Sequence, residues 1–359
     1  VVYFFSTQLD TILDSLYALL DTFRSSSIRR PSVRGIFLVV ILSIAVLSGC
    51  AGKSPEKGDS AAPLVQCGDV GNRKHLNILS INLLFSEIET REQRLDAIAE
   101  FAAKTPVDVI LLQEVVGGTL VHTANSAQDL QKKLRARVRD YDLHTAFEVG
   151  LPGLLGLSNA VLSRCEIDFK KTKYLPFTAE LDFQGHKVKI PRNVMMIRIN
   201  VPNSGKLNIY NTHLCSKCTA DELNAQLDVL LPFIDEVEES FPQDNPVILG
   251  GDFNIDRLRI KPFEERPFYD KIINAGFTDA YAQNRPLENL CAVAGQADIH
   301  CTVGVSTLDV GDIPRRVDYI FVNKVKDVRE SRVVFNTLVD PNQPTVSDHA
   351  GVFVSISLP

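Results

Sequence analysis

Pro246-Val247-Ile248-Leu249-Gly250-Gly251-Asp252-Phe253-Asn254 is an apolar run that ends in a carboxylate and an amide two positions apart. In an extended segment such residues face the same side, and Gly250 and Gly251 let another backbone approach closely. The pair suits one carboxylate for water or metal and one amide for a phosphate oxygen. Its structural alternative is an Asx-type turn closing a strand. Four other segments have the same form: Ser80-Ile81-Asn82, Gln113-Glu114, Asn211-Thr212-His213 and Ser347-Asp348-His349. Carboxylates, amides and imidazoles placed where apolar runs stop point to metal-assisted phosphoester hydrolysis.

Around these segments the chain alternates strand-like runs with fewer, longer helical stretches. Strands are expected at Asn77–Phe85, Val107–Gln113, Asn159–Leu162, Val194–Val201, Leu207–Asn211, Pro246–Leu249, Val317–Val322 and Gly351–Leu358. Arg91–Lys104 puts Leu95, Ile98, Ala99 and Ala102 on one helical face, and Asp221–Glu239 does the same with Leu223, Leu227, Leu230, Leu231 and Ile234. Such helices would cover the outer faces of sheets, giving an α+β fold in layers of helix, sheet, sheet and helix.

Each candidate residue has a chemical use and a structural alternative. Glu114, at the end of the buried run Asp108–Gln113, offers the kind of oxygen ligand that a hard cation such as Mg²⁺ needs; Mn²⁺ could substitute. Asn82 can orient that carboxylate or touch the metal, or simply form a turn. His213 can donate to charge developing on phosphorus, or be a packed histidine. Asp318 and His349, 31 apart in sequence, could form a carboxylate–imidazole pair in which Asp318 orients the ring. Asp348 then remains for metal or water, and Ser347 reads as a backbone cap rather than a nucleophile.

Seven segments, in order, carry a resemblance: Ser80–Asn82, Leu112–Glu114, Asn159–Arg164, Asn211–Leu214, Gly250–Asn254, Arg316–Phe321 and Ser347–His349. Over about residues 75–358 the chain resembles the endonuclease/exonuclease/phosphatase superfamily, which includes deoxyribonuclease type I, abasic-site endonucleases, inositol polyphosphate 5-phosphatases and neutral sphingomyelinases. The resemblance implies a four-layered sandwich with two central mixed sheets and the active site at one end between them. It implies Glu114 as principal Mg²⁺ ligand, with Asn82 and Asp348 completing its surroundings. His213 and Asn254 would bind the scissile phosphate and Asp252 would orient or activate water. His349, held by Asp318, would be general base or transition-state donor. Arg164 would steady phosphate or pair across the fold. Family members often continue that segment with an aromatic residue and Pro; here Cys165-Glu166 follows, leaving the neighbouring loop open. A non-catalytic interaction module should have lost one of these groups, yet all are present.

The first 50 residues read as an address. Arg29, Arg30 and Arg34 precede the apolar run Ile36–Leu47 and then Leu47-Ser48-Gly49-Cys50, the layout of a bacterial lipoprotein export signal. The run falls short of the roughly 20 residues that span a bilayer, so lipidation of Cys50 is expected over a spanning anchor. Residues 1–28 contain no Met and exceed what such a signal needs, which points to an upstream start placed too early. The expected organisation is residues 1–49 as extension and signal, 50–74 as a flexible Gly-, Pro-, Ser- and charge-rich tether, and 75–359 as one catalytic domain. The enzyme is expected to be monomeric and anchored in the bacterial envelope, on the periplasmic side or the cell surface.

Formal charge is −6; four Arg and three Asp precede Cys50, leaving −7 after it. This disfavours holding nucleic acid by bulk charge, although a nuclease can clamp a single phosphate locally. Cys67, Cys165, Cys215, Cys218, Cys291 and Cys301 form an even set in a compartment that permits oxidation, so disulfides are expected with unread pairing. Cys215-Ser216-Lys217-Cys218 reads as a local disulfide or free thiols, since zinc would want a second ligand pair. The expected substrate is a phosphodiester of phospholipid or nucleic acid. Membrane attachment, negative charge, the Cys215/Cys218 pair and the apolar segment Leu151–Leu157 lean toward a sphingomyelinase-like enzyme. That segment could equally be core edge, and Arg164, Lys170, Lys171, Lys173, Arg315 and Arg316 could supply a basic patch for a surface nuclease.

Overall fold

The computed structural model describes residues 67–358, except positions 139, 152, 184–185, 242–244, 260–261, 284, 287–289, 292–295, 309–311 and 339. Cys50, the export signal and most of the expected tether lie outside the described residues. Apart from the tip joining its fifth and sixth strands, the described part belongs to one compact unit, 64–181 with 187–359. Among the described residues, no helix is long and apolar enough to cross a membrane.

Two six-stranded sheets form the centre. The first contains β1 (His75–Asn82), β2 (Val109–Gly117), β3 (Asp142–Leu151), β4 (Leu155–Ser163), β11 (Val328–Val334) and β12 (Gly351–Ser357), in the order β11-β12-β1-β2-β4-β3. The second contains β5 (Ile167–Phe183), β6 (His186–Val201), β7 (Gly205–His213), β8 (Val247–Asp252), β9 (Thr278–Asp279) and β10 (Asp318–Asn323), in the order β5-β6-β7-β8-β10-β9. Both sheets are mixed. β1 runs parallel to β2 and β7 parallel to β8, each pair joined through a covering helix, while β12 and β10 flank them antiparallel.

Alternation along the strands sorts side chains between two environments. Ile78, Val109, Leu111 and Val161 from the first sheet meet Ile197, Ile209, Ile248 and Ile320 from the second in the core between them. Leu79, Ile81, Ile110 and Leu112 point the other way, onto α2 (Arg91–Lys104) and α3 (Ser126–Arg137). Tyr210, Leu249 and Phe321 pack outward onto α4 (Ala220–Glu239) and α5 (Arg266–Asn274). The layers are therefore helix, sheet, sheet and helix. The apolar face read for α4 is the buried one, and Thr219 closes its start with a capping box to Glu222.

Structure is present before His75, within the stretch expected to be tether. Gly68–Arg73 forms a short helix, α1, and Cys67 is bonded to Cys165. Cys215 pairs with Cys218 and Cys291 with Cys301, so all six cysteines after Cys50 are in disulfides. The apolar segment Leu151–Leu157 contains the last residue of β3 and the first three of β4. Thr119 N and Leu120 N donate to Gly153 O and Leu154 O, both at 3.0 Å. Leu157 packs with Val116, Val121 and Cys215. The backbone here is pinned at Gly153 and Leu154, and Leu157 lies at a core edge.

Candidate active site

The two parallel pairs deliver their polar ends to one place. In register, Asn82 stands opposite Gln113, His213 opposite Asp252, and Asp252 opposite Asp318. The sheets are locked together just beneath by side chains the sequence displayed without an assigned role. Gln113 Nε2 donates to Asn211 Oδ1 at 2.7 Å, and Asn211 Nδ2 donates to Leu112 O and Ala160 O at 2.9 and 3.0 Å. Buried amides bonded in this way hold two sheets at one spacing.

Glu114 sits where the β2–β4 register shifts between Leu112 and Val115, with φ of 53°. Such a bulge re-aims one side chain out of the ladder. Its Oε1 accepts from Asn82 Nδ2 at 3.1 Å and its Oε2 from Phe85 N at 3.1 Å. Asn82 Oδ1 accepts from Leu84 N at 3.0 Å, so the turn reading of Asn82 and its role beside Glu114 hold together.

Asp252 is the point of convergence. Its Oδ2 lies 3.2 Å from Asn82 Nδ2, 3.3 Å from His213 Nε2 and 3.9 Å from His349 Nε2. Its Oδ1 accepts from Asn254 N at 3.0 Å, an Asx turn that coexists with the chemical use. Burial opposes its ionisation, but His213 and His349 together hold its carboxyl below the ordinary value. Asn254, at φ 52°, gives one amide hydrogen to Leu214 O at 3.1 Å, which leaves its second donor for a phosphate oxygen.

His349 Nδ1 lies 2.9 Å from Asp318 Oδ2, as the sequence pairing expected. Burial would lower the imidazole's pKa, yet Asp318 and Asp252 raise it well above the ordinary histidine value. Ser347 is a cap: its Oγ accepts from His349 N at 3.2 Å and donates to Asp348 Oδ1 at 2.9 Å. Burial pushes the Asp348 carboxyl up; His349 pulls it down, and the Glu114 charge adds to the rise.

These observations test where a divalent cation would fit. Glu114 and Asp348 are two carboxylates close enough for their charges to repel, hard oxygen donors suited to Mg²⁺ or Mn²⁺, while Asn82 turns its Nδ2 to Glu114 and so orients that carboxylate. Ligand atoms of Asp252, Asp318 and His349 also lie within 4.8 Å of one another. There, however, Asp318 already engages Nδ1 and the two carboxylates favour a protonated ring, so the trio is a hydrogen-bond relay. Cys291, Asp298 and Cys301 form a third cluster, but its thiols are spent in a disulfide.

Arg164 is not at the site, and its phosphate role is withdrawn. Ser163 pairs with Val109, so Arg164 lies at the start of β2, about 20 Å along the strand from Glu114 at 3.3 Å per residue. Its Nη1 is 3.1 Å from the buried carboxylate of Asp108, which also receives Arg73 at 2.7 Å. It pairs across the fold.

Residues that sequence reasoning missed stand behind His213. Arg192 Nη1 is 2.9 Å from His213 Nδ1 and 3.3 Å from Glu148 Oε2. Asn159 Nδ2 donates to Glu148 Oε1 at 3.0 Å and to Asn193 Oδ1 at 3.2 Å. Asn159 opened one of the seven segments, but no spacing rule joins it to Glu148 and Arg192 on two other strands.

The model of the endonuclease/exonuclease/phosphatase family matches residues 79–349. No curated protein matches significantly. Among solved structures, an endonuclease/exonuclease/phosphatase family protein from Leptotrichia buccalis C-1013-b is 24% identical, with 78% of this chain and 99% of that one covered and a TM-score of 0.55. A mannosyl-6-phosphatase of Bacteroides thetaiotaomicron VPI-5482 is 19% identical, covering 78% and 99%, at a TM-score of 0.54. Truncated TDP2 of Caenorhabditis elegans is 16% identical, covering 79% and 98%, at 0.53. At these identities the likeness to solved structures concerns the fold.

Proposed function

Because the chain belongs to the endonuclease/exonuclease/phosphatase family, whose enzymes hydrolyse phosphoester bonds, we propose that it is a divalent-metal-dependent phosphodiesterase. Glu114, with Asn82 and Asp348 around it, would hold Mg²⁺ or Mn²⁺, which would supply positive charge to the phosphate as it reacts. His213 Nε2 and the free amide hydrogen of Asn254 hold the other phosphate oxygens. Asp252, kept ionised by two imidazoles, orients a water for attack in line with the ester bond and takes its proton. As the new P–O bond forms and the ester P–O bond breaks, His349 donates to the oxygen that gathers charge. Asp318 keeps that ring turned and protonated.

The observation that carries this reading is the convergence on Asp252 Oδ2 of Asn82, His213 and His349, drawn from both sheets. Those donors keep Asp252 ionised and fix its orientation where the two sheets meet.

In the same proposal, lipidated Cys50 tethers a monomer to the bacterial envelope, and the substrate is a phosphodiester of a phospholipid headgroup or of nucleic acid. The charge of −7 after Cys50 favours the lipid, since a polyanion would be repelled away from the metal. The test is hydrolysis by the full chain, with Mg²⁺ or EDTA, of bis(p-nitrophenyl) phosphate, p-nitrophenyl phosphate, sphingomyelin vesicles and plasmid DNA, with His349→Ala as control. Metal-dependent diester cleavage that His349→Ala lacks is expected. Release from the monoester alone would replace the diesterase with a phosphatase.

A further inference from the structure

His213 and His349 approach the same Asp252 oxygen, yet what stands behind each ring differs in charge. Behind His349 is the Asp318 carboxylate, 2.9 Å from Nδ1. Behind His213 is a guanidinium, with Arg192 Nη1 2.9 Å from Nδ1. A guanidinium has five N–H donors, no acceptor, and does not deprotonate in proteins. The contact therefore has one direction: Arg192 donates, and the lone pair of His213 Nδ1 accepts. The ring's single proton must then lie on Nε2, which faces Asp252 Oδ2 at 3.3 Å. A second proton, on Nδ1, would set N–H against N–H and two positive groups in contact inside a buried site.

We propose that Arg192 is a positioning residue that fixes His213 as the neutral ring with its hydrogen on Nε2, a donor to phosphate that cannot serve as the general base. The catalytic consequence rests on the function proposed above; the ring's protonation rests on geometry alone. With Nε2 protonated and the Nδ1 lone pair occupied, His213 has no place to receive a proton from water. The two imidazoles are thus set to different states, His213 neutral by a cation and His349 protonated by carboxylates.

The surroundings are built for this. The side chains of Arg192 and Glu148 are 6% and 0% exposed, and a buried guanidinium is tolerated only when its charge is balanced. Glu148 on β3 supplies the balance and is itself held by Asn159 on β4. Asn159 also grips Asn193, beside Arg192 on β6, and Thr212 Oγ1, beside His213 on β7, donates to Asn193 O at 3.0 Å. Four strands from both sheets thereby fix the Arg192–His213 contact.

The test is a long-range ¹H–¹⁵N correlation spectrum of the full chain labelled with ¹⁵N-histidine, which reads each ring's tautomer without substrate. It is compared with Arg192→Lys, which retains a donor-only cation, and with the double variant Arg192→Gln/Glu148→Gln, which removes both charges together and so leaves no buried ion unpaired. The expected parent spectrum shows His213 with Nδ1 bare and Nε2 protonated. Arg192→Lys should keep it, and the double variant should show exchange between tautomers. Hydrolysis of bis(p-nitrophenyl) phosphate should fall about 10–100-fold in the double variant and recover most of its rate in Arg192→Lys. A parent ring protonated on Nδ1, or a ring unchanged in a folded double variant, would overturn the proposal. A parent with the expected ring that cleaves no phosphoester would instead defeat the functional reading and leave the tautomer assignment standing.

Discussion

Asp318 Oδ2 and His349 Nδ1 are 2.9 Å apart across the junction of the two sheets, with Asp318 fully buried and Asp252 within 3.9 Å of the ring's other nitrogen. Residues joined in this way act as one unit. Replacing Asp318 by Asn keeps the shape but removes the charge that favours a protonated ring, so turnover on a diester should fall on the order of 10²–10⁴-fold. The sharper expectation concerns the double variant Asp318→Asn/His349→Ala. Its rate should match that of His349→Ala, because a ring that is absent cannot be oriented. Multiplied losses in steady-state kinetics would show that the two residues work separately.

Burial raises the Asp348 carboxyl, the His349 charge opposes that rise, and the Glu114 charge adds to it. Removing one of two repelling charges should help the metal-free fold. Without divalent ions, Glu114→Gln should therefore unfold at the same temperature as the parent or slightly above it. With Mn²⁺ the order should reverse, since a ligand at a hundred times its dissociation constant adds about 2.7 kcal/mol to a protein that binds it and nothing to one that does not. Thermal unfolding at rising Mn²⁺ decides this; an equal Mn²⁺ shift in both proteins would move the cation elsewhere.

The centre of the molecule was legible because its strands are buried on both faces and read as unbroken apolar runs, each ending in a polar residue. Strands at the margins obey no such rule. β11 reads Val-Arg-Glu-Ser-Arg-Val-Val with Arg329, Glu330 and Arg332 exposed, and β5 carries Lys170, Lys171 and Lys173 as an edge strand does. α3 shows few apolar residues beyond Ala127, Leu130 and Leu134, which was too sparse a stripe to stand out. At the site, Glu114, Asp252 and His349 announced themselves by position on strand ends. Arg192 and Glu148 did not, because their meaning lies in a meeting of β6 with β3 that no local pattern encodes. Arg164 failed for the converse reason: its segment runs through the site at Asn159 and carries Arg164 away to Asp108.

Gly251 should tolerate no side chain. Its φ is 140°, and a Cβ there would stand 1.9 Å from Thr212 O, in the rung that sets His213 opposite Asp252. Backbone strain alone costs about 1–3 kcal/mol, and the clash adds to it by pushing β7 from β8. Gly251→Ala is expected to lower the thermal midpoint and abolish hydrolysis together. Gly205, at φ 83° with nothing within 4 Å of such a Cβ, separates the two effects. Gly205→Ala should lose stability through strain while keeping its activity, measured below the unfolding transition; inactivity there would detach the loss from the β7–β8 rung.

Helices α2 and α3 are clasped on their outer side by Lys133, 2.9 Å from Glu92 and 3.0 Å from Asp96, and by Arg137, 2.6 Å from Asp96. The hydrogen bond from Lys133, followed by both cations' charge, lowers the Asp96 carboxyl below its ordinary 3.8. Burial works against the Lys133 charge, but Glu92 and Asp96 raise its ammonium above 10.5. A lowered carboxyl contributes stability that is present above its unfolded value and lost as pH falls through the folded one. A raised ammonium contributes stability that is present below its unfolded value and lost as pH rises through the folded one. The difference in unfolding free energy between the parent and Asp96→Asn should therefore be flat from about pH 5 to pH 9 and shrink in acid as Asp96 takes up its proton. With Asp96 42% exposed, solvent screening holds that difference to about 1 kcal/mol or less, and 1 M salt should reduce it further. Urea titrations across this pH range at two salt concentrations measure it, and a difference that grew below pH 4 would mean that the clasp is not ionic.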